Sequence, residues 1–390
     1  MNLSSIPVIV LSAGENSRFF PLNTDTHKGA LRLCGQSLIL RMLYGLAGVG
    51  FKKIYIVVSP KDYNNQGLTA ELQNHHLNIE VEFILQGQAT GMGGALLLAK
   101  DKIRDKTFAV VFPYSIEAGK VFIKMTRVKQ TNGVLALTKT NKPWLYGIAS
   151  IRGQRVISIT EKPKKTEGSL NLKLQGVYLL SSNFMPYLEN TPIKDYSFES
   201  ALHYFVKKYP VSFIRLNQPL LTLKYPWHLF DFKNQLLKNL DKRIENTISI
   251  DKNITIKRSY IGPHCFVGKN AIIEDSIIEE GTKISAGIHI KNSIIFKSCK
   301  IHSSIKDSII GANVSIGKGV IVLTKGEKSS NKIITQVKGK PVNTDLKNFG
   351  TVVGNNTVIQ KNVFVDAGIF IGANVIVPKE QRIRKHIPHN

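Results

Sequence analysis

Cysteine is scarce in this chain of 390 residues: Cys34, Cys265 and Cys299 stand far apart, with no CxxC spacing. That excludes a disulfide scaffold and a zinc site built on cysteine. Long apolar runs are also missing; none approaches the ~20 residues that a membrane-spanning helix needs. The first residues, Met1-Asn2-Leu3-Ser4-Ser5, lead straight into a short apolar run. No basic segment precedes a long apolar core, so no signal peptide is expected, and a soluble, cytoplasmic protein is. Acidic residues are in deficit, with 27 Asp and Glu against 53 Lys and Arg and a net charge of +26. Such an excess raises the question of a polyanionic partner. Residues 236–390 carry a net +12 and the rest of the chain +14. A charge spread this evenly reads as a solvated surface, and nucleic acid is not an expected partner. What is present, 43% apolar and 21% charged residues, supports a sizeable core, and the length suggests two domains.

The first half alternates strand and helix signals. Ile6–Leu11 (IPVIVL) is a continuous apolar run that breaks into Ser12-Ala13-Gly14, the pattern of a buried parallel strand entering a glycine turn. Lys53–Val58, Val81–Leu85 and Thr107–Phe112 repeat it, and Gln36–Leu46 has helical spacing. Strands alternating with helices predict an α/β domain with a mostly parallel sheet. It is expected to span residues 1–240, closing on the helix-like Trp227–Leu240.

The second half changes period. Val353, Ile359, Val365, Ile371 and Val377 recur every six residues, as do Ile261, Val267, Ile273; Ile278, Ile284, Ile290; Ile295, Ile301; and Ile310, Ile316, Val322. A six-residue step is neither 3.6 nor 2. It predicts a triangular β-solenoid in which three hexads complete a turn and the aliphatic side chains stack inside. Gly262, Gly268, Gly311, Gly317, Gly354 and Gly372 follow members of these runs. A Gly or Asn then takes each corner, where a positive φ is needed. The solenoid domain is expected over 241–390, with Lys-rich residues 323–350, which lack hexads, looping out of a coil.

Leu11–Ile39 reads LSAGENSRFFPLNTDTHKGALRLCGQSLI, with Arg18, Pro21, Leu22, Lys28 and Gly35 in register. This resembles the signature of the sugar-1-phosphate nucleotidylyltransferases. Further along, Gln86–Leu96 (QGQATGMGGAL), Tyr146-Gly147, Glu161-Lys162-Pro163 and Tyr225-Pro226-Trp227 resemble the family's later motifs, in order. With the hexads behind them, the chain is similar to the bifunctional nucleotidylyltransferase/acetyltransferases. Gly339-Lys340-Pro341 and Gly350, Gly354 and Asn356 look most like the archaeal type. The resemblance implies a Rossmann-like α/β nucleotidyltransferase domain followed by a left-handed parallel β-helix of hexapeptide repeats. It implies that Leu11, Ala13, Gly14, Gln86 and Gly91 bind the nucleotide. Arg18 and Lys28 act as the catalytic cations on the phosphates, and Gly147, Glu161 and Lys162 hold the sugar phosphate. It also implies Mg²⁺ as cofactor, a nucleoside triphosphate or sugar nucleotide and a sugar-1-phosphate as ligands, and a homo-oligomer, expected as a trimer.

The departures bear on chemistry. The family carries an Asp after a central strand; Phe108–Tyr114 (FAVVFPY) puts Tyr114 there. A second Asp precedes the Tyr-Pro-Trp motif; Leu220–Trp227 (LLTLKYPW) puts Thr222 there. Neither side chain is a hard anionic ligand of the kind magnesium takes. Asn16 replaces a glycine and still reaches a positive φ. Leu174 stands for a sugar-contacting Asn, Met92 for a Thr, and His27 and Gly29 for two prolines. Two functions therefore compete: nucleotidyl transfer from NTP to a sugar-1-phosphate with release of pyrophosphate, and a non-catalytic nucleotide- or sugar-nucleotide-binding regulatory or scaffold protein. A third, acyl-CoA-dependent sugar acylation, needs a general base. No His lies between His302 and His386, and His386 and His389 are expected to be solvated in the tail.

Overall fold

A computed structural model describes residues 2–24, 27–64, 69, 72, 77–88, 91–103, 106–129, 132–164, 171–238, 240, 242–245, 249–250, 252–326 and 332–390. The chain forms two compact units. One comprises Met1–Glu15 and Leu38–Thr222, the other Asn16–Ser37 and Leu223–Asn390.

The first unit is built on one sheet. Its strands are β1 (Val8–Ser12), β2 (Lys53–Val58), β3 (Glu80–Leu85), β4 (Thr107–Val111), β5 (Gly133–Lys139), β6 (Gly147–Arg152), β7 (Arg155–Glu161), β8 (Leu172–Ser181) and β9 (Val211–Arg215), in the spatial order 3-2-1-4-8-5-9-7-6. The apolar runs that predict buried strands are the parallel β3-β2-β1-β4 half. The sheet is less parallel than the sequence implies, because β8 runs antiparallel to β4, β5 and β6. Helices α1 (Leu38–Gly48), α2 (Pro60–Asn64), α3 (Gly91–Leu98), α4 (Ala118–Thr126), α5 (Met185–Glu189) and α6 (Ser197–Lys208) accompany it. In α6 the buried residues Phe198, Ala201, Leu202, Phe205 and Val206 fall on one helical face. Phe198 and Phe205 meet Phe184 edge to face at 5.4 and 5.5 Å. Aromatic side chains buried in this way each contribute on the order of 2–3 kcal/mol.

Strand order reverses at β1. Its successor in sequence, β2, lies on one side and β4 on the other. In such sheets ligands bind beyond the carboxyl ends of the strands at the point of reversal. The loop after β1 carries Ala13-Gly14, and the segment after β4 carries Phe112–Tyr114.

The second unit contains a left-handed parallel β-helix. Short strands stack in register on three faces, and the aliphatic hexad residues fill the interior at or near zero exposure. The coil is not uniform. Ile277 pairs with Ile294 (a step of 17), Ile294 with Ile309 (a step of 15) and Val358 with Ile376 (a step of 18). The early coils are shortened at a corner where Asp275, Asn292 and Asp307 take φ of 51°, 46° and 49°. These corners are where the six-residue runs break, and Ile305, which the count of six skips, is fully buried. Part of the segment between coils is ordered as an antiparallel hairpin, Ile334–Val337 with Lys340–Asn343. Its two turn residues, Lys338 and Gly339, both have positive φ (52° and 72°), as a two-residue hairpin turn requires.

Buried polar groups in the coil are paired by stacking. Ser259, Ser276, Ser293 and Ser308 occupy equivalent places. Each hydroxyl donates to the carbonyl two residues earlier at 2.6–2.7 Å. Each accepts from the backbone N–H one coil further on at 3.1–3.3 Å. Cys265 and Cys299 sit in a similar ladder, their thiols donating to Glu279 O (3.2 Å) and Gly311 O (3.0 Å). Burial pushes these thiols up to about 11 and about 12. Lys233, from helix α7 (Leu229–Leu237), is fully buried and donates to Asp275 O (2.6 Å) and Asn292 Oδ1 (2.7 Å). Burial lowers its pKa to about 8.

Candidate ligand-binding site

In the first unit the site-bearing loops follow the strand ends. Leu11 is buried in β1, Ala13 is buried after it, and a Cβ on Gly14 would meet nothing within 4 Å. Gln86 follows β3, is buried, and donates its N–H to Val58 O at 2.8 Å. Gly91 opens α3 at φ 67° and likewise faces open space. Helix α3 packs on α6 so closely that a Cβ on Gly93 would lie 2.2 Å from Ser197 Oγ.

The residues that the resemblance assigns to the sugar phosphate form a second cluster in this unit. Gly147 pairs with Glu161 across β6 and β7, and Lys162 N donates to Tyr146 O at 3.0 Å. A Cβ on Gly147 would lie 2.8 Å from Glu161 Oε2. Lys162, at φ 45°, places its ammonium 3.7 Å from Glu161 and 4.1 Å above the Tyr196 ring, with the Tyr196 hydroxyl as a further partner. Glu199, on α6, is raised to about 7, first by burial and also by the charge of Glu161. Burial, then Glu199, Glu161 and Tyr114, hold the Tyr178 phenol well above its usual range. Tyr196, Glu199 and Gln175 escape sequence reading. The first two owe their place to the packing of α6, and Gln175 to an irregularity in β8.

That irregularity lies between Leu174 and Tyr178. At its centre Gly176 has φ 69°, and a Cβ there would meet the Phe112 ring at 2.6 Å. Tyr114 stacks on Phe112, with centroids 5.6 Å apart and planes 4° from parallel. Burial raises its phenol far above its usual range, so the ring is neutral. The crevice beside it is lined by Ser115, Ile116, Glu117, Leu220 and Leu221 and encloses about 10 Å³, about the room of one water. Gln175 Oε1 accepts from Leu220 N at 2.7 Å. The segment leading to Thr222 is thereby held beside Tyr114. The family is typically metal-dependent, and magnesium demands hard anionic oxygens with room for its waters. A neutral stacked phenol in a crevice of this size does not fit that ion.

Arg18 and Lys28 belong to the second unit. Asn16 takes φ 53°, as expected for a glycine stand-in, and Phe19 N donates to Asn16 O at 2.8 Å. Arg18 is exposed. Lys28 is lowered to about 8 by burial and by the charge of Arg18. His27 is fully buried, held down to about 3 by burial and by Lys28, and its Nδ1 accepts from Gly29 N at 3.0 Å. The segment is seated on the coil. Gly35 N donates to the Glu279 carboxylate (3.2 Å to Oε2), and the Tyr260 hydroxyl fills the space where a Gly35 Cβ would be.

The tail histidines are half-buried and engaged with the backbone rather than free in solvent. His386 Nδ1 accepts from Phe370 N (3.1 Å), its Nε2 lies 3.1 Å from Gln336 O, and its ring stacks on Phe370 at 4.9 Å. Burial lowers its pKa. His389 Nδ1 accepts from Ala373 N at 2.8 Å. Both rings close the last coil, because backbone N–H groups there have no further coil to pair with. Among the described residues no helix is long and apolar enough to cross a membrane.

Comparison with known proteins identifies the family. Residues 7–212 match the family model described as nucleotidyl transferase. A bifunctional protein GlmU from Methanococcus maripaludis (strain C7) is 30% identical over 377 residues, covering 89% of this chain and 87% of the relative. The UTP–glucose-1-phosphate uridylyltransferase AglF of Haloferax volcanii is 23% identical over 175 residues, 44% of this chain and 70% of its own length. Among solved structures, a UDP-glucose pyrophosphorylase from Acinetobacter baumannii superposes with a TM-score of 0.50 at 18% identity, covering 59% of this chain and 94% of its own. The chain therefore belongs to the nucleotidyl transferase family.

Proposed function

We propose that this chain binds a sugar nucleotide, or the nucleoside triphosphate and sugar-1-phosphate from which one is made, and that it works as a regulatory or scaffold member of its family with little transfer activity. One observation carries this reading. Tyr114 stands where the family resemblance expects a metal-binding Asp, and it is a neutral ring stacked on Phe112 in a crevice of about 10 Å³. Charge stabilisation of the transferring phosphoryl group supplies much of the rate in such reactions, and this position offers none.

The binding groups are better supported. Gly14 and Gly91 leave open space for close backbone approach, and Gln86 offers an amide to a base. Within the first unit, Glu161 would accept from sugar hydroxyls and Lys162 would meet the sugar phosphate; in the second unit the exposed Arg18 is a cation that phosphate would meet. Lys28, at about 8, is mostly protonated at neutral pH, and a neighbouring phosphate would hold it so. Buried atoms without a protein partner, Gln175 Nε2 and Ser197 Oγ, are the kind of groups a polar ligand satisfies. Acyl transfer fits less well, because both ring nitrogens of His386 are engaged by backbone groups. The outward Ile321, Phe364 and Ile376, exposed on the coils, support self-association, and a trimer is the form proposed.

The test is a pyrophosphate-release assay with Mg²⁺, the common NTPs and several sugar-1-phosphates, run beside ligand-induced shifts in melting temperature. Stabilisation by a nucleotide with turnover at least about 10³-fold below ordinary enzyme rates is expected. Turnover of ordinary size, about 1–10³ s⁻¹, would sink the proposal.

A further inference from the structure

The second unit contains a cavity of about 370 Å³ that belongs to neither cluster described in the first unit. It is lined by Ser17, Arg18 and Phe20 from the signature segment, Gln336–Gly339 from the hairpin turn, and Phe370, His386 and Pro388 from the end of the coil. That volume is in the range of small-molecule sites.

The lining combines charge of one sign with apolar groups. Arg18 and Lys338 are exposed cations; among the described residues neither is in an ion pair and no Asp or Glu lines the cavity. His386 adds no charge, because its Nδ1 accepts a backbone N–H. The same lining holds the apolar Phe20, Val337, Phe370 and Pro388, with the Phe20 and Phe370 rings 6.5 Å apart. Gly339 leaves open space where a side chain would stand.

We propose that this cavity is a second ligand site, for a nucleoside phosphate, with the phosphate between Arg18 and Lys338 and the base against the Phe20–Phe370 wall. A bare phosphate would use the cations and leave the wall idle; an apolar ligand would do the reverse. The inference shares Arg18 with the function proposed above and otherwise stands apart from it. The hairpin thereby gains a role, because only its turn supplies the second cation.

The experiment uses the full chain and AMP, with inorganic phosphate and adenosine as controls, read by titration calorimetry. Lys338→Asn removes the charge and suits the left-handed backbone at φ 52°, so its fold is kept; Lys338→Glu reverses the charge. Losing one charge-assisted contact should weaken AMP binding at this site about fivefold or more, and the reversal should weaken it further. In a second arm, periodate-oxidised AMP followed by borohydride should label Lys338, and excess AMP should block the label. Gln86→Ala, which alters only the first unit, should leave that label unchanged, so a failure of the first-unit reading is seen separately. Unchanged AMP affinity in Lys338→Glu, or no label at Lys338, overturns the site. Inorganic phosphate binding as tightly as AMP overturns the assignment to a nucleoside.

Discussion

The coil and the sheet treat buried polar atoms in opposite ways. In the coil, every rung from Ser259 to Thr351 hands a hydrogen bond to the next. In the first unit, Asn171 Oδ1, Gln175 Nε2, Ser181 Oγ and Ser197 Oγ are buried without a protein partner, and in the signature segment so are Asn16 Oδ1, Asn23 Oδ1 and Thr24 Oγ1. Among the described residues no such atom lies in the coil. A repeat satisfies itself, because whatever one turn leaves open the next turn closes. A site is met once in the chain and is left open toward its ligand. The orphaned atoms of the described residues gather instead around Gln175, Ser197 and Asn16, where water or a ligand would have to satisfy them.

The largest test of this contrast is Tyr114→Asp. It removes a stacked ring and puts a carboxylate into a narrow crevice that Glu117 also lines, with an expected cost of about 3–5 kcal/mol. Calorimetry should show the first-unit transition several degrees lower; an unshifted transition would mean that the crevice is wet and already suited to charge. Next is Ser276→Ala, which leaves the Ser293 N–H without its acceptor. A loss of about 1–3 kcal/mol in denaturant unfolding of the second unit is expected, and a neutral result would break the ladder argument. Third is His27. Its pKa falls from 6.5 to about 3 on folding, so the unfolded chain takes up the proton first. Stability is fully present above pH 6.5 and declines by up to about 1.4 kcal/mol per pH unit as pH falls toward 3. In His27→Gln that decline should flatten, as melting temperature against pH will read. The smallest is Ser197→Ala, whose hydroxyl has no partner to lose. A change within about 0.5 kcal/mol is expected without ligand, together with a smaller melting shift from a bound sugar nucleotide.

The same contrast explains what sequence reading reached. The coil was legible because every turn places an aliphatic inside, and the pattern survives one slip in register. The slips themselves, at Asp275, Asn292 and Asp307, looked like gaps between runs, because an Asp or Asn in the left-handed region signals no length of its own. The hairpin was missed, although Lys338-Gly339 between Ile333–Val337 and Lys340–Asn343 is a two-residue turn between alternating segments. In the sheet the parallel strands announced themselves as apolar runs. Strand β8 did not reveal its antiparallel sense, which depends on partners far along the chain. Site residues met in short motifs, such as Glu161-Lys162, were visible as a resemblance. Tyr196 and Glu199 were not, since only the docking of α6 brings them to Lys162 and Glu161. His27 read as a lost proline; that it caps the turn at Lys28 needed coordinates.

The thiols give the molecule a practical property. Cys34, Cys265 and Cys299 are all buried, and two of them ionise only near 11 and 12. Thiolate is the species that reacts with maleimides and iodoacetamides, so the folded chain is close to blank toward these reagents. One cysteine placed on an exposed position, the hairpin turn included, becomes a single-site handle for a fluorophore or spin label. The native cysteines need not be removed, and their slow modification would itself report opening of the coil.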